Sequence, residues 1–277
     1  MTLKKLYIIL LTVIIAGLGA CDVIEGSYFE EIETDGEIME NPQKVLIMDY
    51  TGHTCKSCPK AHRTIRMIKD VYGDKVIPVA FHLGYFAKPK EDGKYNTDFR
   101  TDEGEVLENH FDFVSFPIGT VNRLGKDDLI PYPSWASETA GYVQNQAKVI
   151  IKATPRYDSE TRKATAVINL KPNGSETTTV KLAVYLTESH IISYQKDEDS
   201  TPTDVSDYEH NHVFRDAVGT IWGETIDFSI SGGDGLDFVR DINVNPDWIP
   251  ENCSFVIFVY DSSTMEVLQA EEIEIEF

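Results

Sequence analysis

The stretch Val45-Leu46-Ile47-Met48-Asp49-Tyr50-Thr51-Gly52-His53-Thr54-Cys55-Lys56-Ser57-Cys58-Pro59 carries the residues best suited to chemistry. Cys55 and Cys58 form a C-x-x-C between an apolar run and a segment patterned as a helix. There the first thiol meets the unpaired N–H groups and positive dipole end of the helix, which favour thiolate. Lys56 and His53 add positive charge nearby, and the second thiol, one turn on, is placed to resolve a mixed disulfide. Closing so short a loop constrains the unfolded chain by only about 2 kcal/mol, a weak reason to keep a staple. Metal binding is the rival. Cys55, Cys58 and His62 offer three soft ligands, with Cys58 and His62 on one helix face and His53 as a fourth, a set suited to Zn²⁺ or Cu(I). Structural zinc usually takes a second Cys or His pair at a distance, and the sequence offers none. Redox, metal and inert pairing stay open on residue type alone. Haem attachment does not, because Pro59 stands where C-x-x-C-H needs histidine.

Strands and helices must position these groups. Val45 to Asp49 reads as a short strand, and Ala61, Ile65, Ile68 and Tyr72 recur at helical spacing after Cys58-Pro59. A second strand is expected over 75–82, an exposed loop over 84–102, a short helix around 103–111, a strand opening at Pro117, and a helix over 134–148. That alternation predicts an α/β domain over residues 44–148. Beyond it the texture changes. Val180, Leu182, Val184 and Leu186 alternate with other residues, as do Ile273, Ile275 and Phe277 with glutamates. Polar turns punctuate the segment, and about seven or eight short strands predict an all-β antiparallel sandwich of immunoglobulin type over 149–277.

The other candidate groups read more plainly. His210 and His212 form an H-x-H that on a strand would share one face, most simply as structural or surface histidines. Gly232-Gly233-Asp234-Gly235 and the acidic stretch 196–207 lack EF-hand spacing and read as turns and solvated charge. Trp222 and Trp248 could line a glycan site, though buried aromatics are commoner in such a domain. Cys253, inside an apolar run, reads as a small buried hydrophobe. No G-x-S-x-G, H-E-x-x-H or phosphate-cradling loop occurs, so hydrolase and kinase chemistry lack support, and no cofactor is expected.

Lys4 and Lys5 precede an apolar run from Leu6 to Gly17, too short to span a bilayer of about 30 Å and suited to a signal peptide over 1–20. The run ends in Leu18-Gly19-Ala20-Cys21, which resembles the lipobox of bacterial lipoproteins. That resemblance implies acylation of Cys21 and a lipid bilayer as partner, with 21–43 as an acidic tether. Asp22 resembles an inner-membrane retention mark of enterobacteria, but other lineages use acidic residues here differently. Cleavage would remove Lys4 and Lys5 and leave 23 basic against 46 acidic residues. So acidic a surface argues against nucleic acid and anionic lipid headgroups as partners.

Over roughly 44–148 the sequence resembles thioredoxin-like proteins. The resemblance implies that Cys55 attacks, Cys58 resolves, Asp49 assists proton transfer, and Pro117 is a cis-proline facing the disulfide. Thr54 replaces the tryptophan usual before the first cysteine, the 84–102 loop is long, and Pro59 differs from thioredoxin itself. The lipobox, T-G-H-T-C-K-S-C-P, F-P-I-G-T-V-N-R, H-N-H-V-F-R and F-V-Y-D together resemble the outer membrane protein 28 family, lipoproteins often labelled adhesins. This implies the envelope of a Gram-negative bacterium, at the outer membrane. Two functions follow as expectations: thiol–disulfide exchange with protein thiols, or non-enzymatic binding of a surface partner.

Overall fold

A strand buried on both faces needs no alternation, and Val45–Thr51 (β1) is apolar enough to be buried along its whole length. Val76–His82 (β2) behaves alike and pairs parallel with it, Asp49 opposite Ala80. Between them runs the helix Cys58–Tyr72 (α1), with Pro59 in its first turn, where a missing N–H costs nothing. Ala61, Ile65 and Ile68 bury its inner face. The computed structural model describes residues 41–91, 93–175, 178–230 and 233–277. The expected signal peptide at 1–20, the expected acylation site Cys21 and most of the expected tether lie outside these residues.

The chain continues through two helices, Gly84–Ala87 (α2) and Asp102–His110 (α3), the strand Ile118–Val121 (β3) and the helix Trp135–Tyr142 (α4). The expected loop over 84–102 thus begins as a helical turn, and the last helix is shorter than its pattern. Ten strands follow. They are Val149–Asp158 (β4), Lys163–Pro172 (β5), Val180–Glu188 (β6), Ile191–Lys196 (β7) and Asp204–His210 (β8). Then come Val213–Ala217 (β9), Glu224–Ile226 (β10), Leu236–Asn243 (β11), Cys253–Asp261 (β12) and Val267–Glu274 (β13).

An α/β thioredoxin-like domain followed by a separate antiparallel sandwich is not what these strands build. One eight-stranded mixed sheet runs β13-β12-β6-β9-β2-β1-β3, with β10 also on β6. The join is β9, antiparallel to β6 and parallel to β2 through the pair Ala80 and Val213, where Ala80 N–H donates to His212 O at 2.8 Å. The two ends of the path also meet. Leu124 N–H donates to Met265 O and Val267 N–H to Asn122 O, each at 2.9 Å, so the sheet curls toward a barrel. Its inner face carries Met48, Tyr50, Phe81, Tyr185, Phe214, Phe258 and Tyr260 in one aromatic core. A three-stranded sheet, β11-β5-β4, packs on β6 and β12 around a second, aliphatic core. The β7–β8 hairpin stands apart from both sheets.

Gly119 on β3 marks how closely these layers approach. A Cβ there would lie 2.2 Å from Met48 O and 2.6 Å from the ring of Trp135, which is fully buried. Cys253 is 1% exposed, and burial pushes its thiol up to about 12, so it packs as an inert apolar group.

Candidate functional site

The turn between β1 and α1 holds the two cysteines, joined as a disulfide with Cα atoms 5.4 Å apart. Cys55 N–H donates to Gly52 O at 3.0 Å, and α1 begins at Cys58, which places Cys55 just ahead of the helix N-terminus. No acidic side chain stands in the first turn of α1 to neutralise the dipole. Both cysteines are buried, at 2% and 0% exposed. Thr54 reaches α2 twice, donating to Phe86 O from its N–H at 3.0 Å and from its hydroxyl at 2.9 Å. Gly52 permits this approach, since a Cβ there would sit 2.6 Å from the Phe86 backbone. Pro117 follows a cis peptide bond, and Ser57 Oγ donates to Phe116 O at 3.5 Å, so that segment lies beside the disulfide.

The two charged neighbours named from sequence behave differently. Lys56 is largely exposed and reaches Glu198 at 3.7 Å. His53 is fully buried, with Nε2 3.1 Å from Lys88 O, and burial lowers its pKa. It is a neutral packing group there, not a source of positive charge. The ligand set fares no better in this state. The two sulfurs bind each other, and His62 has both ring nitrogens engaged. Among the described residues no three His, Cys, Asp or Glu side chains are grouped to hold a metal ion.

Asp49 is fully buried on β1, with Oδ2 3.3 Å from His62 Nε2. Neither carboxylate oxygen accepts a hydrogen bond among the described residues. His62 Nε2 is also 3.0 Å from Thr51 Oγ1, and its Nδ1 is 2.7 Å from the hydroxyl of Tyr208. Tyr208 comes from β8, remote in sequence, and nothing in its local pattern singles it out.

The hairpin that brings Tyr208 also straps the cysteine turn. Gln195 donates from its side-chain amide to Cys55 O at 3.0 Å, Lys196 N–H to His53 O at 2.8 Å, and Glu198 N–H to Lys56 O at 2.9 Å. Arg63 on α1 donates to Asp197 at 2.8 Å, and Lys60 pairs with Glu198 at 2.7 Å. The acidic stretch 196–207, expected as solvated charge, therefore spends part of that charge on α1.

Behind Asp49 and His62 lies a cavity of about 90 Å³. His82, His210 and His212 line it together, so the H-x-H pair does share one space, with His212 in a turn at φ +56°. His82 and His210 are 3% and 2% exposed, and neither ring nitrogen of His82 has a hydrogen-bond partner among the described residues. Burial, reinforced by the neighbouring histidines, lowers both pKa values, that of His210 to about 3. Unfolded, each binds a proton near pH 6.5; folded, only far below that. The unfolded state thus holds more protons in between, and stability falls as pH drops below about 6.5. Half-buried Glu272 and Asp216, whose pKa values are raised, oppose that slope. Denaturation of His210→Phe between about pH 6.5 and 5 should show a slope shallower by about 1.4 kcal/mol per pH unit than the parent. An unchanged slope would mean that His210 is charged when folded.

Comparison with known proteins adds one family and three solved structures. The family described as Outer membrane protein Omp28 matches residues 105–276. HBP35 of Porphyromonas gingivalis superposes with a TM-score of 0.61 at 14% identity, covering 85% of this chain and 76% of that one. A protein of Agrobacterium tumefaciens gives 0.50 at 13% identity, covering 84% and 95%. A domain of the outer membrane lipoprotein Omp28 from Porphyromonas gingivalis is 27% identical over 47% of this chain and 89% of that one, with a TM-score of 0.33. A comparison with curated protein sequences returns no match.

Proposed function

The chain belongs to the Omp28 outer membrane protein family, and from that place in the envelope we propose that its Cys55–Cys58 pair exchanges disulfides with other envelope proteins. Cys55 attacks or is attacked, Cys58 resolves, Asp49 handles the proton, and Pro117 shapes the groove where a partner lies. Acylated Cys21 holds the protein on the membrane. The observation that carries the reading is the disulfide closed in a strand–helix turn directly ahead of the α1 N-terminus, with a buried carboxylate on that strand. Outer-membrane location suits the chemistry, because disulfides persist and exchange outside the cytoplasm.

A second reading rests on burial. With both cysteines almost inaccessible under the strap, the pair would be a static staple in a surface-binding protein. The full chain, purified in detergent and equilibrated in dithiol–disulfide buffers, separates the two when thiols are alkylated and counted by mass spectrometry. Exchange predicts a reversible midpoint between about −270 and −120 mV. A pair that opens only on unfolding would leave the binding protein.

A further inference from the structure

When a substrate thiolate attacks Cys55 Sγ, the Cys55–Cys58 bond breaks and Cys58 departs as a thiolate. Cys58 is 0% exposed, so that charge is costly unless a proton reaches it. Asp49 is equally buried and cannot fetch one from solvent itself. Beside it stands His62, whose side chain is 17% exposed and whose Nε2 is 3.3 Å from Asp49 Oδ2.

We infer that His62, held by Tyr208 of the hairpin, carries protons between Asp49 and the cavity behind it, which makes the strap part of the exchange machinery. The inference rests on the exchange reading above. Nε2 faces a carboxylate and a hydroxyl, which favours the proton on that nitrogen. Nδ1 is then the acceptor, and Tyr208 donates to it across 2.7 Å. Burial raises the Tyr208 pKa, so its hydroxyl keeps the proton that this role requires. The tyrosine is a positioning residue; the imidazole moves the proton.

The cavity supplies the outlet. Its volume, about 90 Å³, is enough for a few waters, and Arg66 on its lining is exposed, so it reaches solvent. The ionisable groups around His62 are Asp49 from β1, Arg66 and Lys69 from α1, and His82 from β2. From the hairpin side come Tyr208, Glu209, His210 and, beyond it, His212. The three other cavity histidines are pushed toward neutrality by burial, and His62 is the imidazole that stands 3.3 Å from the carboxylate.

The balance is simple. A substrate dithiol and the protein disulfide become a substrate disulfide and two cysteine thiols. The first substrate thiol loses a proton to solvent and attacks Cys55; a proton passes from the cavity through His62 and Asp49 to Cys58. The second substrate thiol loses its proton, attacks the mixed disulfide, and Cys55 leaves and is protonated. Two protons and two electrons move from substrate to protein, and the reverse direction uses the same path.

The test is stopped-flow reduction of the full chain by dithiothreitol between about pH 6.5 and 9, with the solvent isotope effect. His62→Gln should react about tenfold to a hundredfold more slowly near neutrality and lose the isotope effect. Tyr208→Phe, which keeps the ring packing, should slow by a few-fold and shift the profile. The equilibrium potential at high pH should stay with the parent. Parent-like pH profiles in both variants, with the parent reacting readily, would overturn the relay alone. A parent chain inert to dithiothreitol would overturn the relay and the exchange reading together.

Discussion

Cys58→Ser in the full chain is expected to stop turnover and leave Cys55 in a long-lived mixed disulfide with its partner. The resolving thiol works intramolecularly, and a group tethered at bonding distance acts at an effective concentration no free thiol can match. Losing it should slow resolution by about 10³-fold or more. The adduct would be read on non-reducing gels and by mass spectrometry of the linked peptide. Cys55→Ser should trap nothing, because the remaining thiol is the more deeply placed of the two, at 0% exposed. Equal adducts from both variants would remove the asymmetry on which the assigned roles depend. The trapped chain would also identify the partner.

Arg215→Ala should destabilise the fold by about 3–5 kcal/mol. Arg215 on β9 donates from Nε and Nη2 to Glu188 Oε2, each at 2.8 Å, and Glu188 on β6 is 3% exposed. The other oxygen accepts Ile249 N–H at 2.9 Å. Removing the guanidinium strands a buried carboxylate on the seam where β9 joins the parallel and antiparallel parts of the sheet. Pairing it with Glu188→Gln should recover part of the loss, since the stranded charge is the costly element. Guanidinium denaturation of the single and double variants checks this. A double variant no more stable than Arg215→Ala would place the loss instead in the packing of Arg215 over Phe99 and Trp248, whose rings lie 5.7 and 5.6 Å away.

Local patterns served well where short-range physics decides. The apolar run before the cysteines became β1, the spaced Ala61, Ile65 and Ile68 became the inner face of α1, and Cys253 packs inertly. The register between distant strands had no such signal. Alternation at Val180 to Leu186 says that a strand has two faces, and it is silent on which strand lies beside it. An isolated sandwich was the simplest completion, and the pairing of Ala80 with Val213, with the hydrogen bonds of Leu124 to Met265 and Val267 to Asn122, joined what it would have kept apart.

The candidate site divides the same way. Cys55, Cys58, Asp49 and Pro117 lie on contiguous segments whose motifs are visible in the sequence, along with the apolar leader and the cysteine that ends it. The partners of His62, the strap built by Gln195 and Asp197, and the neutrality of His53 came only with the tertiary structure. Hydrogen-bond partners and desolvation are set by groups far away in the chain, and residue spacing carries no information about either. Residue types and spacing picked out the candidate thiols and the segments that hold them; what surrounds those thiols came from the folded chain, because burial and pairing are properties of packing.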